Sequence, residues 1–129
     1  MNGKQFRTPL KGALGLGSAR QGMHHFVVQR ITAAALFLLA PWFVWTVLRL
    51  LHLDAAGAHA LVAQPCTAVF LLAFVFAVFW HAQLGLQVVI EDYVHTRGTQ
   101  MALQIAVKFL CFLGGAACTL AILKIALGR

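Results

Sequence analysis

The segment His81-Ala-Gln-Leu-Gly-Leu-Gln-Val-Val-Ile-Glu-Asp92-Tyr93 sets one imidazole inside an apolar run and an acid–tyrosine pair where that run ends. Ionisable side chains at membrane depth are costly and mark metal, proton or substrate positions, which makes His81 a candidate ligand or relay. A helix rising ~1.5 Å per residue places His81 roughly 16 to 18 Å from Asp92 and Tyr93 along its axis. The spacing thus offers a metal or proton position near mid-membrane and a polar site at the rim. At ~100° per residue, Phe74, Ala77, His81, Gly85, Val88 and Asp92 share one stripe. Ala77 and Gly85 leave relief for a planar ring such as haem, with His81 offering a nitrogen to iron. The same spacing fits His81 as a packing residue bonded to a serine, a carbonyl or a water at a helix contact.

Asp92 and Tyr93 fit either an interfacial anchor or a quinone-headgroup site. In the second, the phenol donates to a quinone carbonyl while the carboxylate orients it or helps supply protons. Gln83, Gln87 and Glu91 form a separate row at i, i+4, i+8, read as interhelical polar contacts without chemistry. His24, His25 and Arg30 stand near the start of the first apolar run. His24 and Arg30 suit an anionic ligand at that membrane face, such as a haem propionate, because guanidinium binds carboxylate bidentately. They equally suit a topology-setting arginine with interfacial histidines.

The elements that must position these residues follow from composition. With 129 residues, 61% hydrophobic, 10% charged and a mean hydropathy of +0.84, the chain is too apolar for an ordinary soluble domain and reads as an integral membrane protein. A span needs about 20 mostly apolar residues, leaving room for three in the lipid bilayer. The net charge of +7 does not indicate nucleic acid, since the basic residues form no compact patch interleaved with exposed aromatics. Lys4, Arg7, Lys11, Arg20 and Arg30 precede the first apolar run with no acid among them, which places the N-terminus in the cytoplasm or its organellar equivalent. A transit peptide is the competing reading of the same residues. Cys66, Cys111 and Cys118 lack CxxC spacing and are expected to be small core residues. The first thirty residues hold no signal-peptide core, so the first span is expected to act as its own insertion signal.

The predicted fold is all-α: a basic arm over 1–25, then a three-helix domain over 26–129 with spans at about 26–51, 65–90 and 101–127. Glycines at 12, 15, 17 and 22 argue against helix before about residue 23. Pro41 is expected to kink the first span, and Trp42 and Trp45 to mark its far interface. Residues 52–64 read as a loop or interfacial segment, Pro65 as a helix start, and 96–99 as a tight turn around Gly98. In the third span Gly114-Gly115-Ala116-Ala117 admits close helix approach, and Lys108, about two turns in, is expected to snorkel outward. Three helices with small-residue faces read as half of a larger bundle.

Two stretches, Gly17-Ser-Ala-Arg-Gln-Gly-Met-His-His-Phe-Val-Val-Gln-Arg30 and Trp80-His-Ala-Gln-Leu-Gly-Leu-Gln-Val-Val-Ile-Glu-Asp-Tyr-Val-His95, resemble the hydrophobic membrane anchor of succinate dehydrogenase, in its alphaproteobacterial form. The three-span layout extends the resemblance over nearly the whole chain. It implies that His81 is an axial ligand of haem b, whose second histidine is supplied from the other, cytochrome b-type anchor. It implies that Tyr93 contacts ubiquinone with Asp92 close by, and that Arg30 and His24 lie near the haem propionates, with His25 leaving the register open. It further implies docking of an iron-sulfur protein and a flavoprotein; the compact three-span chain without a convincing transit peptide favours the bacterial inner membrane over the mitochondrial one. A fumarate reductase anchor and a non-redox membrane adaptor or transporter component are the rival readings.

Overall fold

The computed structural model describes residues 20–128, with side chains from Met23 onward. The basic arm as far as residue 19 therefore lies outside the described residues. Four helices follow: α1 Arg20–Leu50, α2 Ala55–Ala63, α3 Pro65–Tyr93 and α4 Arg97–Ala126, with no strand among the described residues. Met23–Leu50 within α1, α3 and α4, at 28, 29 and 30 residues, are long and apolar enough to cross a membrane. At ~1.5 Å per residue each reaches roughly 42 to 45 Å, the hydrocarbon core plus its headgroup layers. Helices satisfy their backbone groups internally, which a lipid environment demands.

The joints explain the element order. His52 Nδ1 lies 2.8 Å from the carbonyl oxygen of Leu48 at the end of α1. Asp54 then caps α2, accepting from the Gly57 amide at 2.8 Å, the bond that orients a helix N-terminus. A Cβ on Gly57 would stand 2.9 Å from that carboxylate oxygen, so glycine keeps the cap uncrowded. Gln64 pivots in extended conformation and Pro65 opens α3, where its missing N–H costs no helical bond. The segment expected as loop or interface is thus a capped helix for most of its length. At the other joint the chain turns over residues 94–96, and Gly98 lies within the first turn of α4, not at the centre of a turn. Helix α1 begins at Arg20 despite Gly22, earlier than expected, because the apolar run behind it propagates helix back through the glycine. It also remains one helix through Pro41.

Helix α3 is the middle of the layer, packed against α1 on one side and α4 on the other, and α2 bridges the far ends of α3 and α4. Phe43 stacks on Phe74 at 4.2 Å and Trp42 tilts onto Phe70 at 5.2 Å across the α1–α3 seam. Trp42 therefore faces inward, whereas Trp45 is exposed as expected of an interfacial ring. Across the α3–α4 seam the Phe79 ring lies over Gly114 and Gly115. The internal core is thin, formed by Leu61, Ala68, Leu71, Ala77, Leu84 and Ile90, and α4 contributes no buried residue. Cys66 and Cys118 are exposed and Cys111 half-buried, so the cysteines are not core residues of this chain. Lys108 is exposed eleven residues into α4, about three turns from its start rather than two.

Candidate functional site

Helix α3 carries both halves of the candidate site. His81 is half-buried, facing α1, and Asp92 and Tyr93 are its last two residues. The helix is continuous between them, so the rim pair sits roughly 17 Å along the axis from the imidazole. The side of α3 bearing His81 is the side α1 covers. Phe74 stacks there, Ala77 is buried, and a Cβ on Gly85 would meet Gln29 Nε2 at 3.8 Å. The relief at Ala77 and Gly85 is thus used first by α1, and a planar group would reach His81 from beside this seam.

Around the imidazole α1 presents His25, Gln29 and Thr32, an i, i+4, i+7 set on one helical face. Thr32 Oγ1 is 3.0 Å from His81 Nδ1 and 3.0 Å from each of the carbonyl oxygens of Val28 and Gln29. His25 Nε2 and Gln29 Oε1 are buried without a hydrogen-bond partner among the described residues. Buried polar atoms are rarely left unpaired, and two on one face of α1, one turn apart, mark a place where a further polar group belongs. His81 Nε2 makes no hydrogen bond among the described residues. The packing role that the spacing allowed for His81 is therefore real, through Nδ1 and a threonine, and it leaves the second nitrogen available.

His24 is exposed while His25 is half-buried, so His25, not His24, shares the face that meets α3. Arg30 is exposed with its guanidinium 5.0 Å from the centroid of the Phe26 ring. Six residues separate His24 from Arg30, which puts them about 120° apart around α1. The structure does not bring those two together.

At the rim Tyr93 is 79% exposed and the neighbouring Asp92 is exposed too. Glu91, one residue earlier, is engaged: its Oε1 accepts from Gln87 Nε2 at 2.9 Å and from Gln104 Nε2 of α4 at 3.1 Å. Glu91 thus ties α3 to α4, as the polar row predicts, while Asp92 and Tyr93 stand exposed beside it. Gln83 of the same row instead lines a groove of about 400 Å³ between α3 and α4, floored by Phe79, Cys111 and Gly115. Among the described residues no three His, Cys, Asp or Glu side chains gather to hold a bare metal ion. A chelated iron is a different case, since a porphyrin supplies four donors and the protein only axial ones.

Gln29 and Thr32 carry no obvious mark in the sequence. Their signal is the spacing His25, Gln29, Thr32, a polar stripe in an otherwise apolar helix, which acquires meaning once α1 is known to face His81.

Residues 4–115 match the family described as the succinate dehydrogenase/fumarate reductase transmembrane subunit. The chain is 37% identical over 108 residues to the succinate dehydrogenase hydrophobic membrane anchor subunit of Rickettsia bellii (strain RML369-C), covering 84% of this chain and 86% of the relative. Against the protein of the same name from Paracoccus denitrificans it is 32% identical over 105 residues, 81% of each chain. The Coxiella burnetii (strain RSA 493 / Nine Mile phase I) protein so named is 30% identical over 95 residues, 72% of this chain and 81% of the relative. No solved structure gives a significant match to the chain.

Proposed function

The chain belongs to the succinate dehydrogenase/fumarate reductase transmembrane subunit family, and on that premise we propose that it is the hydrophobic membrane anchor of a succinate:ubiquinone oxidoreductase. It pairs with a cytochrome b-type anchor, shares haem b with it, and docks the iron-sulfur protein and the flavoprotein at the membrane face bearing Tyr93. The observation that carries this reading is the half-buried His81 in α3, bound through Nδ1 and open at Nε2, on the same helix as the exposed Asp92–Tyr93 end.

The donor set fits a haem. His81 would hold it through Nε2, with a second histidine from the cytochrome b-type anchor. When bound, the haem supplies a one-electron store at membrane depth. Of the two histidines, His25 rather than His24 lies on the α3-facing side of α1, with an Nε2 atom unpaired among the described residues, and would serve a propionate there; Arg30, about 140° away around the helix, would reach that group only from another face of α1. At the rim, the Tyr93 hydroxyl donates to a carbonyl oxygen of the ubiquinone substrate. The Asp92 carboxylate beside it orients that group and relays protons, two of which are taken up with two electrons to give ubiquinol. This chain binds and orients, while succinate is oxidised in the flavoprotein.

The start of α1, the end of α3 and the start of α4 share one membrane face. The basic residues gathered there orient it toward the cytoplasm of a bacterial inner membrane. The family description also covers fumarate reductases, but the named relatives are succinate dehydrogenases; the favoured direction of turnover and the resident quinone separate the two. The first test is a dithionite-reduced minus oxidised visible spectrum of the purified complex. A b-type haem signal in wild type that His81→Ala abolishes or shifts, with all subunits still present, is the expected result. A haem-free wild-type complex would overturn the ligand role.

A further inference from the structure

Thr32 is 8% exposed, one of the few buried polar residues of α1, and its hydroxyl has three neighbours at one distance. The carbonyl oxygens of Val28 and Gln29 and the Nδ1 atom of His81 each lie 3.0 Å from Oγ1. A hydroxyl has one hydrogen to give and two lone pairs to offer. The carbonyls accept only, whereas Nδ1 donates or accepts according to tautomer; all three contacts are satisfied together when the hydrogen goes to the carbonyls, in the back-bond that buried threonines make within helices. The oxygen then meets Nδ1 with a lone pair, and the bond runs from His81 Nδ1–H to Thr32. A neutral imidazole protonated at Nδ1 keeps its free electron pair on Nε2.

We infer that Thr32 is the positioning residue of His81: its hydroxyl holds the imidazole in the Nδ1–H tautomer and fixes the ring so that Nε2 points away from α1 with its lone pair available. The tautomer rests on the Thr32 hydrogen going to the carbonyls of its own helix, while its consequence, presentation of Nε2 to iron, rests on the haem reading above. Three features make the hold firm. Threonine is β-branched, so the back-bond leaves its oxygen little rotational freedom. The Phe43–Phe74 stack pins the same two helices on one side of the contact. On the other side Gln29 lies near Gly85, 3.8 Å from where a Cβ there would stand. A hydrogen-bond partner on the far nitrogen of a ligating histidine orients the ring and tunes its basicity, and a neutral hydroxyl draws on the Nδ1 proton less than a carboxylate does.

The test uses the assembled complex labelled with ¹⁵N-histidine, as wild type, Thr32→Ser and Thr32→Val, with His81→Gln to assign the resonance. Solid-state NMR of the reduced, diamagnetic state reads which ring nitrogen of His81 carries the proton. The haem midpoint potential and low-spin EPR g-values are read on the same samples. The expected result is an Nδ1–H resonance in wild type, preserved in Thr32→Ser. In Thr32→Val, which keeps the shape and removes the acceptor, its hydrogen-bond shift is lost, and the potential and g-values move while subunit stoichiometry does not. Protonation of wild-type His81 at Nε2 overturns the proposal, and so does a Thr32→Val complex whose resonance and potential are those of wild type. The wild-type tautomer decides the first point even where Thr32→Val fails to assemble. A haem-free wild-type complex with Nδ1–H at His81 sinks the ligand reading and leaves the Thr32 contact standing, so the two failures are distinguishable.

Discussion

Two carboxylates sit side by side at the end of α3, and their hydrogen bonds distinguish them. Glu91 is occupied by two glutamine amides, one from its own helix and one from α4, whereas Asp92 and Tyr93 face outward. If Tyr93 donates to the quinone carbonyl, Tyr93→Phe removes one hydrogen bond and little else. A net hydrogen bond contributes about 1 kcal/mol, about fivefold in rate where it is made in the transition state. Ubiquinone reduction by the Tyr93→Phe complex is therefore expected to fall roughly fivefold. Succinate oxidation with an artificial acceptor at the flavoprotein, and the haem spectrum, stay as in wild type. Glu91→Gln is the control: it loosens the α3–α4 tie while leaving quinone kinetics near wild type. Equal ubiquinone kinetics in wild type and Tyr93→Phe would remove Tyr93 from the site.

At the scale of the helices, what was legible in the sequence was whatever a single helix determines. The separation of His81 from Tyr93, the row Gln83, Gln87, Glu91 and the need for small residues at Gly114 and Gly115 all follow from one periodicity. The position of Thr32 opposite His81 did not follow, because it depends on how α1 registers against α3. For the same reason His24 and Arg30 looked adjacent in the chain and are on different faces of α1. Helix α2 was obscured by its glycine and histidine, and its Asp54 cap works only once the chain has turned. The glycine pair permits a sharper expectation than periodicity alone. A Cβ at Gly114 would come 2.6 Å from Phe79 Cε1, but one at Gly115 would sit 3.6 Å from the same ring, an ordinary contact. Gly114→Ala is thus expected to destabilise the α3–α4 pair by roughly 1 to 3 kcal/mol, the range for overpacking, and Gly115→Ala to be near neutral. Thermal unfolding of the two variant complexes, read side by side, checks this, and equal midpoints would show that the Phe79 ring yields freely.

For the whole molecule, the exposed apolar surface is not itself an argument for a partner, since lipid covers leucine and phenylalanine as readily as another helix does. The polar atoms are the argument. His25 Nε2 and Gln29 Oε1 have no partner among the described residues, and an unsatisfied polar group in a bilayer costs several kcal/mol. They lie on the same face of α1 as the Thr32 that contacts His81, so the surface that most needs completing is the α1–α3 seam, not the outer face of α4. On the proposed function, the cytochrome b-type anchor and the shared haem would meet this chain there, with the haem a link between two anchors. Binding to the folded form raises stability by mass action, about 2.7 kcal/mol at a hundredfold excess over the dissociation constant. The assembled anchor pair is accordingly expected to unfold at a higher temperature than this chain alone in the same detergent, and His81→Ala, which removes the link, to narrow that gap. If the gap were unchanged by His81→Ala, the seam would be closed by protein contacts alone, and the haem would contribute nothing to holding the two anchors together.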